Sequence, residues 1–221
     1  MKNGITEVVF VIDKSGSMSG YELDTVGGFN ATVREHKEKE GKCFVTTVLF
    51  NSSYQMLHDR VPIEEIGELT RSDYRVGGCT ALYDALGEAI THVSKIHKYA
   101  RAEDVPEHTI FVITTDGMEN ASSRYDGRQI RSLIKSKTEE CGWEFVFLAA
   151  NIDVESAAND IGIRRDRAVR FRQDREGITD CYVTLSRAIN AVRAGKRLED
   201  DDWRREIDGK NGEKGRGRRK K

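Results

Sequence analysis

Apolar residues in this chain fall into two rhythms. Nearly unbroken runs of apolar or β-branched residues stand at Val8–Ile12, Cys43–Phe50, Thr109–Thr115 and Trp143–Ala150. A strand apolar at every position is buried on both faces. Between these runs the spacing changes to that of a helix. Leu23, Val26, Phe29 and Val33 place one apolar face on residues 22–40, and Gly41 ends it. Leu82, Leu86, Ile90, Val93 and Ile96 do the same after Gly77-Gly78-Cys79-Thr80. Ile130, Leu133 and Ile134 mark a third helix, Val154–Ile161 a short fourth, and Tyr182, Leu185, Ile189 and Val192 a last one over 176–194. Tyr54–His58 follows the turn Asn51-Ser52-Ser53 and reads as the returning, antiparallel arm of a hairpin. Residues 59–76 read as polar loop with one short helix near Ile63–Leu69, and Ala168–Phe171 as a short edge strand.

Strands alternating with helices predict an α/β fold. It is a Rossmann-like three-layer sandwich, its central sheet mostly parallel with one antiparallel edge strand, and helices cover both faces. The packed domain is expected over 1–195. Residues 196–221 read as a charged, disordered, basic tail, because almost no apolar side chain follows Trp203.

Charge sharpens that division. The 221 residues carry a net charge of −1, with 33% charged and 38% hydrophobic residues. The last twelve hold seven Lys or Arg against Glu213, which is +6, so residues 1–209 carry −7. No 18-residue apolar window is present, so no membrane span is expected. No signal peptide is expected ahead of the first strand. Cys43, Cys79, Cys141 and Cys181 are far apart, with no Cys-x-x-Cys pair, and read as reduced thiols of a cytoplasmic protein. His36, His58, His92, His97 and His108 are scattered, with no evident acid–base pairing.

The chemistry gathers where the strands stop. Val8–Ile12 ends at Asp13-Lys14-Ser15-Gly16-Ser17, and Thr109–Thr115 ends at Asp116-Gly117. In a parallel sheet, ligands bind beyond the carboxyl ends of the strands. Thr80, opening a helix after a Gly-Gly turn, can reach the same edge. Taken singly, each residue has a plainer reading: turn or cap for Ser15 and Ser17, N-cap for Thr80, Asp-Gly turn for Asp116. Together they are five oxygen donors from three segments, the set a hard cation such as Mg²⁺ prefers.

In these residues the chain resembles the von Willebrand factor type A domain with its metal-ion-dependent adhesion site. Asp13-x-Ser15-x-Ser17, Thr80 within Gly77-Gly78-Cys79-Thr80-Ala81-Leu82, and Thr115-Asp116-Gly117 occur in that family's order. The resemblance spans roughly residues 5–194. It implies a bound Mg²⁺, for which Mn²⁺ substitutes, and a Thr80 that contacts the metal more directly when a ligand is present. The physics of such a site favours binding: an incoming Asp or Glu of a partner protein fills a vacant position on the cation. With the cytoplasmic reading of the cysteines, the expectation is a metal-dependent protein-binding module inside the cell. Tyr21, Glu119 and Asn120 fall at the rim of such a site, where they tune the partner or serve as plain loop residues.

Two other functions bear weighing. A phosphoryl-transfer or hydrolytic enzyme would need a phosphate loop, a Gly-x-Ser-x-Gly elbow or His-Glu-x-x-His, and the sequence has none of these. The expectation is therefore no enzyme and no catalytic residue. RNA or ribonucleoprotein binding would fall to the basic tail, as weak, salt-sensitive contact with phosphates.

Overall fold

The computed structural model describes residues 4–199 and 201–210. Six strands form one sheet: β1 (Thr6–Asp13), β2 (Cys43–Phe50), β3 (Tyr54–Pro62), β4 (His108–Thr115), β5 (Glu144–Ala149) and β6 (Ala168–Arg170). Their order is β3-β2-β1-β4-β5-β6, parallel throughout except for β3. The expected sandwich is thus what the chain forms.

Alternation along β1 feeds both layers. Val8, Phe10 and Ile12 face α1 (Glu22–Lys37) and α5 (Arg175–Arg193). Val9 and Val11 face the layer of α2 (Leu82–Tyr99), α3 (Gly127–Cys141) and α4 (Val154–Asp160). Every residue of β1 is buried, which explains its unbroken apolar run. Gly28 of α1 lies under the Tyr182 ring of α5, where a Cβ would stand 2.3 Å from a ring carbon, so a glycine lets these two helices meet.

The winding reverses at β1. From β1 the chain builds outward to β2 and β3, then crosses to β4 and builds outward to β5 and β6. The carboxyl ends of β1 and β4 therefore flank a crevice, and Asp13 and Thr115 are their last residues.

Four sequence expectations change. Strand β3 runs on to Pro62, past the expected end at His58; an edge strand tolerates the polar residues and the proline that made 59–62 look like loop. The segment after it is not merely polar: Ile63, Ile66, Leu69 and Tyr74 are buried and cover the α1 face of the sheet. Leu23, counted on the apolar face of α1, is 65% exposed, at the open groove between α1 and α5. The packed unit does not end at 195. Leu198, Trp203 and Ile207 join the core on the α5 side, and residues 205–210 are helical. Their apolar groups are few and widely spaced, so the sequence hid them among charges. The expected tail is corrected over 198–210, and its basic end, 211–221, lies outside the described residues.

Candidate metal centre

Three loops build the edge. After β1, the Ser15 amide donates to Asp13 Oδ1 at 2.7 Å, which turns the chain back over the strand end. A 3-10 turn, Gly16–Met18, follows, and α1 begins only at Glu22. Ser17 and Met18 therefore stand in a separate turn and do not lead directly into α1. The second loop is pinned onto the first: Gly16 N donates to Gly78 O at 2.9 Å, and Gly77 N to Lys14 O at 2.9 Å. A Cβ on Gly16 would stand 3.3 Å from Gly78 O, a tight approach, and Gly78 itself has φ +77°, a conformation that favours glycine. Thr80 then arrives at the edge 3% exposed. The third loop leaves β4 at Asp116.

The five expected side chains converge here. Ser15 Oγ and Ser17 Oγ are 3.1 Å apart, and Ser17 Oγ donates to Asp116 Oδ1 at 2.5 Å. Thr115 Oγ1 donates to Asp13 Oδ2 at 2.6 Å across the β1–β4 pair. Gly117 lies between Thr80 and Ser17: a Cβ there would be 3.4 Å from Thr80 Oγ1 and 3.5 Å from Ser17 Oγ.

Both carboxylates are buried, Asp13 at 1% and Asp116 at 2% exposure. Burial pushes the Asp13 pKa up, against hydrogen bonds from Thr115 and Ser15 that lower it; the neighbouring Asp116 charge raises it further. Burial also raises that of Asp116, against the Ser17 hydrogen bond. Among the described residues, no lysine or arginine is paired with either. The nearest one in sequence, Lys14, turns its Nζ to Gln55 Oε1 at 2.5 Å. Two desolvated carboxylates beside three hydroxyls form an oxygen-only donor set that lacks positive charge, and a hard divalent cation fits it. Among the described residues no cluster of three His, Cys, Asp or Glu side chains offers another metal site.

The rim residues have inward work. Asn120 Oδ1 accepts from Thr80 N at 2.9 Å, and its own amide donates to Thr80 O at 3.0 Å, so Asn120 fixes Thr80. Glu119 accepts from the main chain of Tyr83, Ala121 and Ser122, which ties the third loop to the start of α2. Tyr21 Oη donates to Gln173 O at 2.9 Å.

Two contributors were not visible in the sequence reading. Gln173, just past β6, donates through Nε2 to Asp116 Oδ2 and to Ser17 O. Met118, 71% exposed, follows Gly117 at the mouth of the site. The signal for Gln173 was its place at the carboxyl end of an edge strand, but a lone Gln carries no pattern. The histidine reading is corrected as well. His97 Nε2 meets the buried Glu7 Oε2 at 2.8 Å, and His92 meets Asp59 at 2.7 Å. The first of these pairs lies at the opposite end of β1, about 20 Å from Asp13 at strand rise.

No family model matches the chain, and no curated protein matches it by sequence. Solved structures do match in shape. Proximal thread matrix protein 1 from the mussel byssus shares 14% identity at TM-score 0.55, over 87% of this chain and 46% of that one. A second structure of that protein is described as having a zinc-occupied MIDAS motif. The von Willebrand factor type A protein from Catenulispora acidiphila shares 13% at TM-score 0.53, over 82% of this chain and 41% of that one. The ArnB paralog VWA2 from Sulfolobus acidocaldarius shares 17% at TM-score 0.51, over 85% and 45%. This chain thus spans less than half the length of each of these structures. With the strand order and the edge loops in place, the likeness fixes the architecture: the chain has the von Willebrand factor type A fold.

Proposed function

We propose that this protein is a metal-dependent protein-binding module that holds an Asp or Glu of a partner on a divalent cation, Mg²⁺ in the cell with Mn²⁺ as substitute. Asp13, Ser15, Ser17, Thr80 and Asp116 hold the cation. The observation that carries this reading is the pair of buried, cation-free carboxylates joined to three hydroxyls at the sheet crevice. The bound cation supplies a positive, incompletely neutralised point for an incoming carboxylate. The zinc described in the mussel protein's motif supports a divalent ion there. An all-oxygen set favours Mg²⁺ or Mn²⁺ over zinc, which prefers nitrogen and sulfur ligands.

The residues themselves argue for holding rather than turnover. Ser17 Oγ donates to Asp116 Oδ1, so its oxygen keeps lone-pair capacity for a cation. Asp13 accepts from Ser15 N and Thr115 Oγ1, which fix its orientation and leave further lone pairs for a cation. The polar partners of these residues are Thr115, Gln173, Asn120 (on the Thr80 main chain) and main-chain groups, none of them a general base of ordinary histidine type. The exposed Met118 and the half-buried Tyr21 offer apolar contact around the carboxylate. No helix among the described residues is long and apolar enough to cross a membrane, and the four cysteines are free, in keeping with a cytoplasmic setting.

A peptide display library selected on the immobilised protein in Mg²⁺ tests the reading. Enriched sequences should share an Asp or Glu, elute in EDTA and fail to bind an Asp13→Ala variant. Binders equally strong in EDTA and on Asp13→Ala would show that binding does not run through this site. Thr80→Ala should weaken those peptides by about tenfold, roughly 1.4 kcal/mol, while Mn²⁺ affinity falls by less. Equal loss in both would remove Thr80 from ligand contact.

A further inference from the structure

Each carboxylate oxygen of Asp116 already accepts a hydrogen bond. Oδ1 takes the Ser17 hydroxyl at 2.5 Å, and Oδ2 takes the Gln173 amide. That amide is itself held on every side. Its second hydrogen goes to Ser17 O at 2.9 Å, and its oxygen accepts from Asn151 Nδ2, which sets the amide's orientation. Tyr21 Oη donates to the Gln173 main-chain carbonyl, which holds the residue's backbone in place. Asn151 stands at φ +56°, a left-handed conformation that Asn adopts more readily than most side chains. Four segments, those of Ser17–Tyr21, Asp116, Asn151 and Gln173, therefore meet on one amide group. Such a network is more than loop closure requires, since Asp174 already caps α5 by accepting from Gly177 N at 2.7 Å.

We infer that Gln173 is a positioning residue of the metal site: it occupies Asp116 Oδ2, keeps that oxygen from the cation, and so trades metal affinity for affinity toward an anionic ligand. The chemistry is one of charge. A carboxylate oxygen that accepts an amide N–H is a weaker donor to a cation and points at the amide. With Oδ2 so engaged, Asp116 contributes charge at a distance and directs the Ser17 hydroxyl. Freed of Gln173, the same oxygen can turn to the cation, hold it more firmly and neutralise more of its charge. A carboxylate arriving from outside then meets a less positive site. This inference rests on the proposed metal site, and it adds a residue with a predicted sign of effect.

The test compares the native protein with Gln173→Met, which keeps length and bulk without a donor, and with Gln173→Ala. Mn²⁺ alone is titrated and followed by its electron paramagnetic signal. Acetate, the smallest carboxylate probe, is followed on the Mn²⁺-loaded proteins through its carbon relaxation. Both variants should bind Mn²⁺ about fivefold more tightly, the worth of one hydrogen bond, and acetate more weakly. A residue that merely braces the loop would lower both affinities together, and that result, or unchanged Mn²⁺ binding, overturns the inference. Failure of the native protein to bind Mn²⁺ would instead overturn the metal site itself, and the inference with it.

Discussion

Trp203→Ala should cost the protein about 3–5 kcal/mol, the usual loss for truncating a buried Trp in a core. For a chain of this size that lowers the melting temperature by roughly 10 °C. Trp203 is 4% exposed and packs in one core with Leu198, Ile207 and the inner face of α5. Its indole Nε1 donates to Leu198 O at 3.2 Å, and that carbonyl also accepts from Arg167 Nη1 at 2.8 Å. The substitution thus opens a cavity and also removes a polar partner at one buried point. Truncation after residue 195 should be at least as damaging. A shift below about 2 °C in thermal unfolding would restore the sequence reading, in which everything past 195 is tail.

Stability should also fall steeply as pH drops from about 6.5 toward 4, and His36 should carry much of that fall. His36 lies 1% exposed in the α1–α5 seam, with Ser186 Oγ 3.1 Å from its Nε2. Burial and then the Arg193 guanidinium push its pKa from 6.5 down to about 4, while Glu35 opposes them. Arg193 donates to His36 O at 2.7 Å, so the neighbouring positive charge is fixed by structure. Because the folded pKa is depressed, the unfolded chain takes up the proton first. Below about pH 6.5 protonation therefore favours the unfolded chain, and the loss levels off below about pH 4. Its full extent is up to about 3 kcal/mol, from 1.36 kcal/mol per pKa unit. Denaturant unfolding at several pH values, compared with His36→Gln, isolates this contribution from that of the carboxylates. The variant should show a flatter profile between pH 6.5 and 4. Parallel profiles for the two proteins would mean that His36 is not the group responsible.

The contrast between Asp13 and Gln173 shows which parts of the site the sequence revealed. Asp13, Ser15, Ser17 and Asp116 sit where apolar strands stop, so their local surroundings announce them. Thr80 is announced by Gly77 and Gly78, whose positive φ angles the seam with Gly16 requires. Gln173 follows a strand of three residues and acts on a carboxylate 57 positions away, with no local pattern to mark it. The same holds for the fold. Strands β1, β2, β4 and β5 are buried on both faces and read as unbroken apolar runs. The extension of β3 to Pro62 lies at an edge, where burial on one side leaves a mixed composition. Glu7 and His97, 90 residues apart, pair only because α2 returns past the start of β1. Trp203 and Ile207 fold against α5 through contacts that no periodicity encodes. Of the three expected rim residues, Asn120 and Glu119 turn inward, because the third loop has main-chain donors and acceptors that must be satisfied where it crosses Thr80 and α2.

The most direct test of the central claim is the position of Mn²⁺ in crystals grown with it, located by its anomalous scattering. One peak should stand at the carboxyl end of β1 and β4, within direct coordination distance of the Ser15 and Ser17 hydroxyls, and Asp13→Ala should abolish it. A Mn²⁺ ion bound elsewhere with this edge empty, or a peak here that survives Asp13→Ala unchanged, would contradict the account.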